Sequence, residues 1–87
     1  MTEPADFLHL DQIEVCLFRY MDRGRWYGIT ELYELVERHA VLTDADWLPA
    51  APRSASPRWK RNVRNWLQSR KTSGAIEWRN RAEYRVI

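Results

Sequence analysis

SPRWKRNVRNWLQSRKTSGAIEWRNRAEYRVI, residues 56 to 87, is the stretch on which the reading of this chain turns. Ser56 can accept hydrogen bonds from free helical N–H groups and Pro57 is preset for a first helical position, so the pair predicts a helix start. At about 100° per residue, Trp59, Val63, Trp66 and Leu67 then share one stripe, while Arg58, Arg61, Arg64, Asn65 and Gln68 lie across the opposite half. The helix is expected over 57–72, with Gly74 closing it in the left-handed conformation. Residues 75–79 and 83–87 follow as two strands around the turn Asn80-Arg81-Ala82, because Tyr84 and Val86 alternate as a half-buried strand requires.

Upstream, Pro49-Ala50-Ala51-Pro52-Arg53-Ser54-Ala55-Ser56-Pro57 is rich in proline and small residues and reads as a loop. It also marks a charge boundary. Residues 1–52 carry four Arg and ten acids (4 − 10 = −6), and residues 53–87 carry ten bases and two acids (10 − 2 = +8), which together make the net +2. Such a division suits one face for a polyanion. Thr43-Asp44-Ala45-Asp46 looks like the cap and first turn of a short connecting helix, with Trp47 and Leu48 as its buried pair. Thr30 is expected to cap a helix over 30–40, where Leu32, Leu35, Val36 and His39 repeat at helical spacing. Phe7, Leu10, Ile13, Cys16, Leu17 and Tyr20 predict a first helix over 6–22, begun by Pro4 and Asp6 and stopped by Gly24. Between them Trp26-Tyr27-Gly28-Ile29 has room only for an extended link or an edge strand.

Eighty-seven residues leave space for one core, so 1–87 is a single domain, and 45% hydrophobic with 30% charged residues is a globular balance rather than a disordered one. No apolar run approaches the ~18 residues of a membrane span, and the start of the chain is acidic where a signal peptide would be basic. A soluble, cytoplasmic protein is expected. Cys16 is single and sits among core positions, and His9 and His39 are isolated, so no zinc site is expected. Asp44 and Asp46 share one turn, Glu31, Glu34 and Glu37 form a helix surface, and no nucleophile–base set or glycine-rich phosphate loop accompanies them. The expectation is therefore a binding module without catalytic residues, metal or cofactor.

Three helices, the last one basic, followed by a β-hairpin is the order of a winged helix-turn-helix, an α+β fold that is mostly α. A helix fits the major groove of DNA, where Arg pairs bidentately with guanine and Asn or Gln with adenine. Arg61, Asn65 and Gln68 stand in one outward row with that chemistry. Arg53, Ser54, Ser56, Arg58, Lys60 and Arg64 border it as phosphate contacts, and the hairpin tip adds Arg79, Asn80 and Arg81. Solvated helix faces usually mix signs, whereas Arg53 to Arg70 contains no acid at all. Trp78 has two readings. Pointing inward with Ile76 it is core, the more ordinary case; standing proud of the wing it could stack on an extruded or modified base. Trp59 and Trp66, and also Trp26 and Trp47, read as packing residues.

From Leu42 to Ile87 the chain resembles the N-terminal winged helix of Mrr-type restriction endonucleases. The resemblance rests on Leu42-Thr43-Asp44-Ala45-Asp46, on Arg58-Trp59-Lys60-Arg61-Asn62-Val63, and on Gly74-Ala75-Ile76-Glu77 with Tyr84-Arg85-Val86. The chain departs from that pattern at Asn65, at Arg70 and at Ala82, so the wing turn has to be made without glycine. What the resemblance implies is the target-sensing module of a modification-dependent, type IV-like restriction enzyme, with double-stranded DNA as ligand, methylated adenine included, and a covalently linked nuclease domain in a longer chain. An adenine methyl group protrudes into the major groove, where an aromatic wall beside an amide could admit it, so Asn65 or Gln68 with Trp78 is the combination expected at a modified base. Two other classes fit the same fold: a winged helix used for protein contacts, and a free-standing transcription regulator.

Overall fold

A computed structural model of the chain describes residues 10–80 and 82–86. The first helix, α1, is Leu10–Tyr20, with Ile13 and Leu17 fully buried and Cys16 nearly so. The expected start at 6–9, with Phe7 and His9, lies outside the described residues. The helix stops short of Asp22 because the chain turns there toward the sheet. The Asp22 amide donates to the Tyr27 hydroxyl at 2.8 Å, and Gly24, at φ 80°, donates its N–H to the Val86 carbonyl at 3.1 Å. Strand β1, Tyr27–Gly28, fills the expected edge position and runs directly into α2, Ile29–His39. The abrupt change from strand to helix moves the cap. Gly28, in extended conformation, takes the flanking position and its N–H donates to Glu31 Oε1 at 3.0 Å, while Thr30 is an exposed residue of the first turn. Leu32 and Val36 carry the buried face of α2.

The connecting turn is a single 3-10 turn, Ala45–Trp47, and its burial is the reverse of the expectation. Trp47 and Leu48 are 48% and 50% exposed, whereas Asp46 is 1% exposed. Local hydrogen bonding explains the reversal: the Asp46 N–H donates to Thr43 Oγ1 at 3.3 Å, and Asp46 Oδ2 accepts from the Thr43 N–H at 2.9 Å and from its hydroxyl at 3.2 Å. This reciprocal capping turns the carboxylate inward and the indole outward, leaving Trp47 edge-on to Trp59 at 5.5 Å.

Helix α3, Arg58–Ser73, starts one residue later than the sequence predicts, with Pro57 as an extended flanking residue and no side-chain cap. The Ser56 N–H donates to Ser54 Oγ at 3.1 Å. The loop folds back on itself instead. Pro49 and Pro57 form a bridge, the Ala50 N–H donates to the Ser56 carbonyl at 2.9 Å, and the Arg58 N–H donates to the Leu48 carbonyl at 2.8 Å. Gly74, at φ 84°, ends the helix in the left-handed conformation, as its position suggests. Trp59, Val63, Trp66 and Leu67 are the buried stripe of α3 and pack on Ile13, Leu17, Leu32 and Val36.

The hairpin strands are β2, Ile76–Arg79, and β3, Glu83–Val86. All pairing is antiparallel in the order β1-β3-β2, with Tyr27 opposite Tyr84, Ile76 opposite Val86 and Trp78 opposite Tyr84. Asn80, at φ 49°, supplies the left-handed turn residue in place of glycine. Trp78 shares a face with buried Ile76 by register, yet on the outer strand of the sheet it is 46% exposed. Three α-helices and a small three-stranded antiparallel sheet make a mostly helical α+β fold, compatible with a winged helix. No helix among the described residues is long and apolar enough to cross a membrane.

Candidate nucleic-acid interface

Helix α3 is fixed from behind by its apolar stripe and by one acid. Glu14 Oε1 of α1 accepts from Trp66 Nε1 at 3.2 Å and lies 3.3 Å from Arg70 Nη1. With that side anchored, Arg61, Asn65 and Gln68 all face outward and are exposed. Arg61 reaches back to the loop, donating from Nη1 to the Ala50 carbonyl at 3.3 Å, and Arg64 donates to the Tyr33 hydroxyl at 3.0 Å. Lys60 lies over aromatic faces, its ammonium 5.0 Å from the Tyr33 centroid and 5.6 Å from that of Trp59. Arg58 is half-buried at the helix start and Arg53 is exposed on the loop. Ser54 and Ser56 are tied to one another, and the Arg58 and Lys60 N–H groups are taken by the Leu48 and Pro57 carbonyls. The helix end therefore offers fewer free backbone donors than its sequence suggests.

From Asp46 to Glu77 no acid interrupts Arg53, Arg58, Lys60, Arg61, Arg64, Arg70 and Lys71. Tyr33 joins this surface through Arg64 and Lys60, a contribution from α2 that helical periodicity alone does not signal. Lys71 is a second addition, with its Nζ 4.1 Å from the centroid of Trp78. It belongs to the polar side of α3, but only the position of the hairpin gives it an aromatic partner.

The wing differs from the sequence expectation in its electrostatics. Arg79 donates from Nε to Glu83 Oε1 at 3.1 Å, and Asn80 Nδ2 donates to the same oxygen at 2.9 Å. The Glu83 carboxyl is held below the ordinary glutamate range, first by the Asn80 amide and then by Arg79. Arg85 pairs with Glu77 across the hairpin. Both guanidinium groups also cover the Trp26 ring, at 4.0 Å for Arg79 and 4.7 Å for Arg85. Two cations facing two anions leave this side of the wing without net charge among the described residues; Arg81 lies outside them.

Cys16 is buried in the core, where desolvation pushes its thiol up from the usual value, the behaviour of a packing residue rather than a nucleophile. His39 stacks on Tyr20 at 3.6 Å. Among the described residues no group of three or more His, Cys, Asp and Glu side chains is placed to hold a metal ion. The assembled surface offers charge-assisted hydrogen bonds from Arg, the amide groups of Asn65 and Gln68, and the exposed indole of Trp78. No family model, no curated protein and no solved structure matches this chain.

Proposed function

We propose that this domain binds double-stranded DNA as a winged helix, with α3 in the major groove and Arg61, Asn65 and Gln68 toward base edges. The observation that carries the reading is the exposed Arg61-Asn65-Gln68 row on a sixteen-residue helix, inside residues 47–76, which hold no acid. Arg53, Arg58, Lys60 and Arg64 serve phosphates, with Lys60 and Arg64 steadied by Tyr33. Arg79 and Asn80 are weaker participants, because Glu83 already takes their donors. The finer reading is a target-sensing module that guides a nuclease domain of a modification-dependent restriction enzyme. An N6-methyl group of adenine protrudes into the major groove, where Asn65 or Gln68 would meet it.

The test is a titration against matched short duplexes, unmodified or carrying methylated adenine or methylated cytosine, at near-physiological salt. Tighter binding to the methyladenine duplex, lost in Asn65→Ala or Gln68→Ala, is the expected result. Equal affinity for all duplexes removes the modification reading and keeps the DNA reading. No binding to any of them removes both and favours an acidic protein partner for the basic face.

A further inference from the structure

The hairpin carries a tryptophan that its own fold does not use fully. Trp78 shares the inward face of β2 with Ile76, but Ile76 is 2% exposed and Trp78 is 46% exposed, so nearly half of the largest apolar side chain stands in water. The forfeited burial is a cost in stability terms, and Trp59 and Trp66 show that the core can enclose an indole completely. Lys71 at the end of α3 places its ammonium 4.1 Å from the ring centroid. Gln68 lies three residues before Lys71 and so neighbours it on the helix surface. Asn65, by contrast, is about 120° around the helix from Lys71 and roughly 9 Å along its axis, on the other flank of the row.

We infer that Trp78, Lys71 and Gln68 form a stacking site for one unpaired nucleobase of DNA, with Trp78 as the platform, Lys71 as the partner of its phosphate and Gln68 as the contact to its polar edge. This rests on the DNA-binding reading of α3 and narrows its ligand to duplex interrupted by an extrahelical base. Every base has a ring face to stack, so an aromatic platform favours unpaired over paired bases with little regard to sequence. By register Glu77, Arg79, Glu83 and Arg85 stand on the opposite face of the hairpin from Trp78, and Lys71 of α3 is a cation over its ring.

The experiment uses the 87-residue chain and two fluorescein-labelled duplexes of identical sequence, one continuous and one with a single unpaired adenine at its centre. The chain is expected to bind the bulged duplex about ten-fold more tightly. Trp78→Ala should bind both duplexes with the affinity of the wild type for the continuous one, and Trp78→Phe should retain most of the preference. Equal affinity of the wild type for both duplexes, or a preference that survives in Trp78→Ala, overturns the stacking site. In that case binding that still weakens with salt and with Arg61→Ala leaves the DNA reading standing, whereas no binding to either duplex overturns both. Circular dichroism of Trp78→Ala at the assay temperature separates lost stacking from lost fold, and Trp78→Phe carries the test if the alanine variant is unfolded, since about half of Trp78 is buried.

Discussion

Removing the Glu14 carboxylate isolates one structural device with a calculable effect. In Glu14→Ala, Trp66 Nε1 loses its acceptor at 3.2 Å while the residue remains 2% exposed, which strands a buried donor. A donor left in that state costs about 1–3 kcal/mol. The accompanying contact to Arg70 adds little, because Glu14 and Arg70 are 38% and 34% exposed and pairs of that kind contribute about 0–1 kcal/mol. The sum is about 2 kcal/mol. For a domain of this size, 1 kcal/mol corresponds to about 4–8 °C in Tm, so Glu14→Ala should melt about 10 °C lower by circular dichroism. Glu14→Gln keeps an acceptor for the indole and loses only the charge, so it should recover most of the difference. Equal losses in Glu14→Gln and Glu14→Ala would show that the charge pair dominates and that the reasoning about the stranded indole is wrong.

Trp59 and Trp66 give a matched comparison on one helix, since Trp59 Nε1 is buried with no hydrogen-bond partner among the described residues and Trp66 Nε1 has one. Trp59→Phe removes an unsatisfied donor and should be at least about 1 kcal/mol less destabilising than Trp66→Phe in urea unfolding. Glu83, with its folded-state pKa lowered, contributes stability above its unfolded value of about 4.3 that disappears as pH falls through the lowered value. Stability of Glu83→Gln should accordingly change less than that of the wild type between pH 5 and pH 3, each taken as approximate limits around that value. The same substitution releases Arg79 and should steepen the salt dependence of DNA binding by about one unit of slope. Lys60→Ala should reduce that slope by about one, whereas Arg61→Ala should cost about 1–3 kcal/mol in affinity and relax the preference for one sequence over another.

Much of the helical framework is legible because burial follows a period that can be counted. Trp59, Val63, Trp66 and Leu67 are all core, and Gly74 ends α3 in the left-handed conformation that the lack of a Cβ permits. The caps at Ser56 and Thr30 are not where local chemistry alone puts them. In both cases a backbone group from a distant segment, the Leu48 carbonyl for Arg58 and the Ala82 carbonyl for Ile29, takes the N–H of the first helical residue. Asp46 and Trp47 exchange their expected places because a reciprocal cap outweighs side-chain hydrophobicity over a single turn. On the candidate site, the exposed row of α3 is readable from its periodicity. The neutral wing is not read from charge counts, since Arg79 with Glu83 and Arg85 with Glu77 meet only through the hairpin register. Lys71 beside Trp78 requires knowing how the hairpin lies on α3.

Strand β3 lies between two strands that precede it in sequence, and this has a consequence for the order in which the molecule can be completed. Tyr27 waits for Tyr84, and the Gly24 amide waits for the Val86 carbonyl. During synthesis the three helices can gather their apolar stripes while both outer strands still have open edges. Only when residues 83–86 leave the ribosome do those edges close; β2 meets β3 through a short turn, whereas β1 must be joined across nearly sixty residues, which makes that pairing the slow one. A nascent chain paused before Glu83 would hold the row of α3 without the hairpin that places Trp78 beside it.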